Sequence, residues 1–429
     1  MALRNLSPPP GIKEEDLQCE FIGETCYSKL TCIDIIKRIM SHLIHYSSIE
    51  HNSEVANEDF DFDDDLCKFM DMTVDEDVLC FIKNFAFIEP LCHAISLNKS
   101  NRFNEIFIGI LTNFASNDEL CHQITRNLSI VELLISFWSS DCPSFLLECA
   151  RLIKIVLKNS SCSSKWLYVI KSNENFFHHI LFILNSSINS ELLISTMQVV
   201  GQLMKLDEEI CDKWITNELL AAALVARNEA KWFTNNDIDY FHYLIHLFST
   251  NENGIVALIS SFNAVYSSFN EYLNKICDEE PHLIIIGQFY NSLILILPTI
   301  NVVVANTASN EALNLLQSEP SVLDNLVRLA YTCSLQSDNT SIQEIYLEIS
   351  SLFNTIISIT HSNLIRSENY DVQQIKWLHS IDVGACIPQL QAFLSCCTRI
   401  ESTKLKLLEL TQKLNLSYLY EAMTDGKIE

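Results

Sequence analysis

His242 and His246, one helical turn apart, are the pair in this 429-residue chain best spaced to grip a metal ion. At i and i+4 they share a helix face as metalloprotease ligands do, but the intervening Tyr243-Leu244-Ile245 supplies no glutamate base. They read as two helix-surface histidines. Sixteen cysteines are present, none in a Cys-x-x-Cys pair. Cys396 and Cys397 are adjacent and point to different helix faces, and Cys19, Cys26 and Cys32 fall in an N-terminal region expected to be mobile. The run Asp61-Phe62-Asp63-Asp64-Asp65 begins like a calcium loop because Asp61, Asp63 and Asp65 alternate. Leu66 and Met72 stand where that loop needs a glycine and a bidentate glutamate. No glycine-rich phosphate cradle and no Gly-x-Ser-x-Gly turn occurs. The residues therefore predict no catalytic group, no cofactor and no metal site. An enzyme or metal-binding protein using the Cys and His supply is the alternative.

The elements that would position these side chains are helical. Ile106-Phe107-Ile110-Leu111-Phe114, Leu146-Cys149-Leu152-Ile153-Val156-Leu157 and Leu192-Leu193-Met197-Val200-Leu203-Met204 each follow the spacing of one apolar helix face. The last bulky apolar residues of the longer helices, Phe114, Leu157, Leu206 and Phe248, lie 43, 49 and 42 positions apart. Armadillo and HEAT units repeat at about 40 to 47 residues. The expected fold is all-α, an armadillo/HEAT-like α-solenoid of stacked helix pairs. Past Phe248 the phase blurs. Helix starts are expected at the capping-box sequences Thr73-Val74-Asp75-Glu76, Ser116-Asn117-Asp118-Glu119 and Ser341-Ile342-Gln343-Glu344.

Composition narrows the partners. The chain is 48% hydrophobic, enough for a large core, with only 8 Gly and 9 Pro to interrupt helices. Against 28 basic residues stand 54 acidic ones, a formal net charge of -26. Such a field repels phosphate backbones and anionic lipid, so a protein partner, a basic one, is expected rather than nucleic acid or membrane. The apolar stretch from Leu283 to Val304 contains Gln288, Asn291, Asn301 and Pro298, and is expected to form two buried helices. The first residues lack an apolar signal-peptide core, so the protein is not expected to be secreted and its thiols are expected to be reduced.

Along the chain, residues 1–20 read as a disordered Pro-led tail and 21–44 as a short helical segment. Residues 45–66 read as an acidic linker and 67–429 as the helical repeat body. Within the tail, Ser7-Pro8 has the local form of a proline-directed phosphorylation site, beside the plainer reading of an incidental dipeptide. In Leu111-Thr112-Asn113-Phe114-Ala115, which looks like the armadillo Leu-x-Asn-Leu-Ala pattern, Asn113 is a candidate for hydrogen-bonding a partner's backbone. Its plainer reading is an ordinary turn-facing polar residue. Asp61, Asp63, Asp64 and Asp65 are the candidate partner-binding acids of the hinge.

Several pieces together resemble the serum amyloid A-like (SAA-like) family. They are Arg4-Asn5 with Ser7-Pro8-Pro9-Pro10, Tyr27-Ser28-Lys29 after Ile22-Gly23, and Asp71-Met72 leading to Asp75-Glu76-Asp77-Val78. Gly109-Ile110-Leu111 with Asn113, Leu146-Leu147-Glu148 with Arg151-Leu152, and Leu206-Asp207-Glu208 with Trp214 continue the series. They cover roughly the first half of the chain; the second half matches by helical character only. The resemblance implies an armadillo-type fold without catalytic residues. It also implies a nuclear regulator associated with cell proliferation, with the cytoplasm as a second compartment. The chain lacks a Lys/Arg cluster of the kind that directs nuclear entry, Lys37-Arg38 being the nearest approach, and entry with a partner is one route.

Overall fold

The computed structural model describes residues 21–48, 60–83, 85, 87–97, 100–230, 235–279, 286–307, 321–336, 339–366, 393, 394, 397, 401–414 and 423. The chain divides into two compact units, Met1–Cys211 and Asp212–Glu429. The first holds α1 (Lys29–Ser48), α2 (Phe60–Met72), α3 (Glu76–Ile82), α4 (Ile88–Leu97), α5 (Asn101–Ala115) and α6 (Asp118–Arg126). It continues with α7 (Leu128–Ser136), α8 (Pro143–Lys158), α9 (Ser160–Ser172), α10 (Glu174–Ser186) and α11 (Ser190–Leu206). After α12 (Glu208–Trp214), the second holds α13 (Asn217–Glu229), α14 (Asn235–Ser249), α15 (Glu252–Ser260) and α16 (Phe262–Glu279). Then come α17 (Ile286–Asn306), α18 (Ser321–Ser334), α19 (Thr340–Arg366) and α20 (Glu401–Leu414). Among the described residues the only β pairing is an isolated bridge between Phe21 and Ser28.

In the first unit the long helices α2, α5, α8 and α11 pack side by side in chain order, while α6 and α7 pack on α9. The apolar stripes explain this layering. Every residue of the three stripes, from Ile106 to Met204, is buried, and each fully buried Leu, Ile or Phe contributes about 1.5–3 kcal/mol. Phe114, Leu157, Leu206 and Phe248 occupy the last turns of α5, α8, α11 and α14, so the repeat follows the long helices.

The blurred phase past Phe248 has a cause. Side-chain bonds between consecutive long helices span 38 to 48 positions from α5 to α11, whereas those from α14 to α17 span 50 to 53. The repeat lengthens in the second unit. There α17 runs 21 residues and α19 runs 27.

Four expectations change. The acidic linker expected over 45–66 is helical where described at both ends, in α1 to Ser48 and in α2 from Phe60; residues 49–59 lie outside the described residues. The reason is an apolar stripe, Phe62, Leu66 and Phe69, all buried, which outweighs repulsion among the neighbouring acids. The body expected as one block over 67–429 begins inside α2 and divides after Cys211. No Pro- or Gly-rich linker marks that division, because stacked repeats contact mainly their chain neighbours. The stretch expected as two helices is the single α17, which carries Pro298 inside it. By length and composition Phe289–Asn306 could cross a membrane, yet half of that window is buried in the protein. Finally, Cys32, expected in a mobile region, is fully buried in α1. The tail with Ser7 lies outside the described residues.

The helix starts also shift. Asp75, not Thr73, caps α3 by accepting from the Asp77 amide at 3.0 Å. Asn117 rather than Ser116 caps α6. Asn339 accepts from the Ser341 amide at 3.1 Å, two residues before the expected cap. Asn127, Asn159, Asn173, Asn189 and Asn251 serve likewise. A short amide side chain reaches an orphan N–H as well as a hydroxyl does.

Candidate functional site

The sides of α2, α5, α8 and α11 left outside the apolar stripes form a polar ladder from helix to helix. At one end the Arg102 guanidinium meets Asp63 at 3.9 Å and Glu105 at 3.2 Å. Glu105 also accepts from the Ser144 hydroxyl at 2.8 Å. In the middle, Asn113 joins three helices. Its Nδ2 donates to the Met70 carbonyl and to Thr73 Oγ1, each at 3.0 Å, and its Oδ1 accepts from Arg151 Nη2 at 2.8 Å. Gly109, one turn before Asn113, marks a close approach of α5 and α2. A Cβ there would lie 2.7 Å from Met70 Sδ.

Toward the other end, Lys154 Nζ donates to Gln198 Oε1 at 2.6 Å and Ser195 Oγ at 3.4 Å, and Gln202 Nε2 donates to the Lys154 carbonyl at 3.3 Å. Burial holds the Glu148 carboxyl above its usual range, partly countered by the Arg151 charge 3.3 Å away. Burial, then the charges of Lys158 and Arg151, hold the Lys154 ammonium below its usual range. Arg102 and Arg151 remain 57% and 45% exposed, so the ladder is open to a ligand.

The residues singled out from sequence are placed as follows. Asn113 is buried in the last turn of α5 with both polar atoms engaged inside the protein. Asp61 stands in the first turn of α2. Asp63 pairs with Arg102, and the exposed Asp64 pairs with Lys68 at 2.5 Å. Asp65 is buried in a two-point contact with Arg38, at 2.5 and 2.7 Å. The acids thus belong to a paired helix, and only Asp63 joins the ladder. Arg151, Lys154 and Gln198 were not singled out. Their signal was a basic i, i+3, i+7 stripe, Arg151-Lys154-Lys158, in an acid-rich chain.

The histidine pair is not on the surface. His242 is buried, its Nδ1 2.8 Å from Ser292 Oγ, and His246 Nδ1 lies 3.2 Å from Thr299 Oγ1. Both face α17, which leaves His242 fully buried and His246 half-buried. The Ser292 hydroxyl donates to Asp239, so the His242 Nδ1–H donates to Ser292 and Nε2 is left a bare acceptor without a partner among the described residues. The rings of Tyr272 and Phe269 lie edge-on, with centroids 4.7 and 5.6 Å from the imidazole. Asp, Ser and His are all present, but the proton order is wrong for a nucleophile, because the imidazole does not accept the serine proton. Burial pushes the His242 imidazole down to about 3, with Arg227 adding to the shift.

Among the described residues no three His, Cys, Asp or Glu side chains converge as a metal site. The thiols of Cys32, Cys92 and Cys121 are each pushed up to about 12 by burial, which keeps them from being nucleophiles.

Stacked helices with a polar ladder across consecutive long helices define an all-α solenoid of the helical-repeat class. Two solved structures share that fold and carry the fold alone. Uso1-2 has a TM-score of 0.56 at 12% identity, covering 94% of this chain and 66% of its own. Uso1-1 has a TM-score of 0.54 at 11% identity, covering 90% and 65%. The family model described as the SAAL1 C-terminal domain matches residues 176–423, more than half of the chain, which therefore belongs to the SAAL1 family. Protein saal1 of Xenopus tropicalis is 25% identical over 361 residues, covering 77% of this chain and 78% of its own. Protein SAAL1 of Homo sapiens is 24% identical over 349 residues, covering 75% and 74%. The family match falls largely on the half in which sequence reading found helical character alone. The broader label serum amyloid A-like shares only its wording with the SAAL1 family.

Proposed function

We propose that this chain is a noncatalytic protein-interaction scaffold that works in the nucleus as a regulator of cell proliferation. The observation that carries the scaffold reading is the ladder, in which Arg102, Asn113, Arg151 and Lys154 lie on consecutive parallel helices with open guanidinium groups among them. Repeated helices of this kind present a long surface before they present any pocket. The nuclear and proliferative parts rest on the family resemblance. The acid excess, a net charge of -26, favours a partner with a basic surface, drawn in by the long-range field and released by salt.

Affinity capture from cells, identification of bound proteins and reconstitution with one purified partner tests the reading. The expected result is a direct complex whose association rate falls as salt rises. Failure of every captured protein to bind in purified form would sink the scaffold reading, and tight binding of naked DNA would replace it. Metal analysis of the reduced protein tests the alternative built on the Cys and His supply. Stoichiometric zinc would favour that alternative.

A further inference from the structure

We infer that the Lys154–Lys158 end of the ladder in Met1–Cys211 docks an extended acidic peptide segment of a partner protein. This rests on the scaffold reading and narrows it to one face and one ligand chemistry.

The first ground is an imbalance of charge. Lys68, Lys83 and Lys171 each meet a carboxylate, at 2.5 to 3.0 Å. Lys154 is half-buried, yet its hydrogen-bond partners are the neutral Gln198 and Ser195. Among its charged surroundings, Lys158 and Arg151 are cations, and the carboxylate of Glu148, which also acts on Lys154, is already shared with Arg151 at 3.3 Å. Lys158, one turn further along α8, is exposed and has no ion pair among the described residues. In a chain with 54 acids, three cations, Arg151, Lys154 and Lys158, around the single carboxylate of Glu148 leave a place for an incoming carboxylate.

Register supplies the second ground. Lys154 reaches two residues one turn apart on α11, its ammonium donating to Gln198 and its carbonyl accepting from Gln202, 44 and 48 positions on. The exposed Lys158 and Lys205 stand in the last turns of α8 and α11. Gln198 uses Oε1 on Lys154, leaving its Nε2 to donate to a ligand carbonyl. The site therefore offers donors and positive charge.

Spacing selects the ligand. Lys154 and Lys158 rise about 6 Å along the helix, and alternate residues of an extended peptide repeat at about 6.6 Å. Acids at i and i+2 of a strand-like segment match both lysines. A polynucleotide places one charge per about 1.7 Å of duplex, and the field of this chain penalises it far more. The whole-chain field steers a basic partner body, while this local row takes an acidic segment, close charge pairs acting within about 8 Å.

The test uses the full chain and a dye-labelled peptide of alternating Glu and Ala, read by fluorescence anisotropy at low salt. Controls are the same peptide with Gln for Glu and a single-stranded oligonucleotide. The Glu peptide should bind and the Gln peptide should not. The double variant Lys154→Gln/Lys158→Glu should weaken binding at least about tenfold. Lys165→Glu, the same charge change as Lys158→Glu alone but on the exposed side of α9, should weaken it less than about twofold. If Lys154→Gln disturbs folding, the exposed Lys158→Glu alone carries the comparison. Equal binding of both peptides, equal loss from Lys165→Glu, or tighter binding of the oligonucleotide would overturn the inference. A reconstituted partner that binds the double variant normally would overturn this site while leaving the scaffold reading standing.

Discussion

Asn159 holds two helices at once: its Oδ1 accepts from the amides of Ser161 and Cys162 at the start of α9, while its Nδ2 donates to Asp118 Oδ1 at 2.9 Å at the start of α6. Asn117 repeats both roles with Glu76, and Asn251 with Asp212, across 41 and 39 positions. One side chain sets where a helix begins and ties it to the preceding repeat.

Asn159→Ala removes both roles and should cost about 1–2 kcal/mol, the range of a lost N-cap. Asn159→Asp keeps the cap acceptor but sets a carboxylate against Asp118, so it should fall between wild type and alanine. Urea unfolding midpoints check the order. An aspartate variant as stable as wild type would show that the Asp118 contact contributes nothing.

Leu111 is fully buried in the stripe of α5. Leu111→Ala should cost about 2–5 kcal/mol through lost burial and the cavity left behind. A negligible shift in the unfolding midpoint would mean that the stripe does not carry the packing of the first unit.

His242 gives the second unit a pH dependence. Its folded-state pKa is pushed down to about 3 from 6.5, so the unfolded chain binds more protons across that window. Stability is complete above about pH 6.5 and declines as pH falls toward 3, by at most about 1.4 kcal/mol per pH unit for one proton. His246, also lowered by burial, adds the same sign, while Asp239, raised by burial, opposes it at the acid end. His242→Gln should flatten the decline between pH 6.5 and 4.5, measured as urea midpoints against pH. An unchanged slope would place the titration elsewhere.

Asp65 and Asp64 are neighbours with different roles. Asp65→Asn breaks the two-point contact with Arg38 and should destabilise the protein by about 1–2 kcal/mol, since solvent at the half-exposed guanidinium keeps it below a buried pair. Asp64→Asn, paired with the exposed Lys68, should leave the midpoint unchanged. Equal effects would return the acidic run to the status of a solvated surface.

The stripe from Ile106 to Met204 was legible because an apolar face every 3.6 residues has one interpretation over such a length. The caps were legible only to within one or two residues, since Ser, Thr, Asp and Asn stand together at each start and compete for the same amide. His242 was misread as a surface residue for a physical reason. Its own helix carries polar neighbours, and what buries it is α17, 50 positions further on. The acidic run was misread because its counter-ions, Arg38 and Arg102, come from α1 and α5.

By itself the sequence determined the all-α class, the long-helix period through Phe248 and the acid excess, because periodicity and composition are local or additive. The tertiary structure decided which charges are paired, that Asn113 is spent on Met70, Thr73 and Arg151, and that Lys154 is left with neutral partners. Those outcomes depend on side chains about 40 positions apart meeting across parallel helices, and only the register of stacking brings them within hydrogen-bond reach.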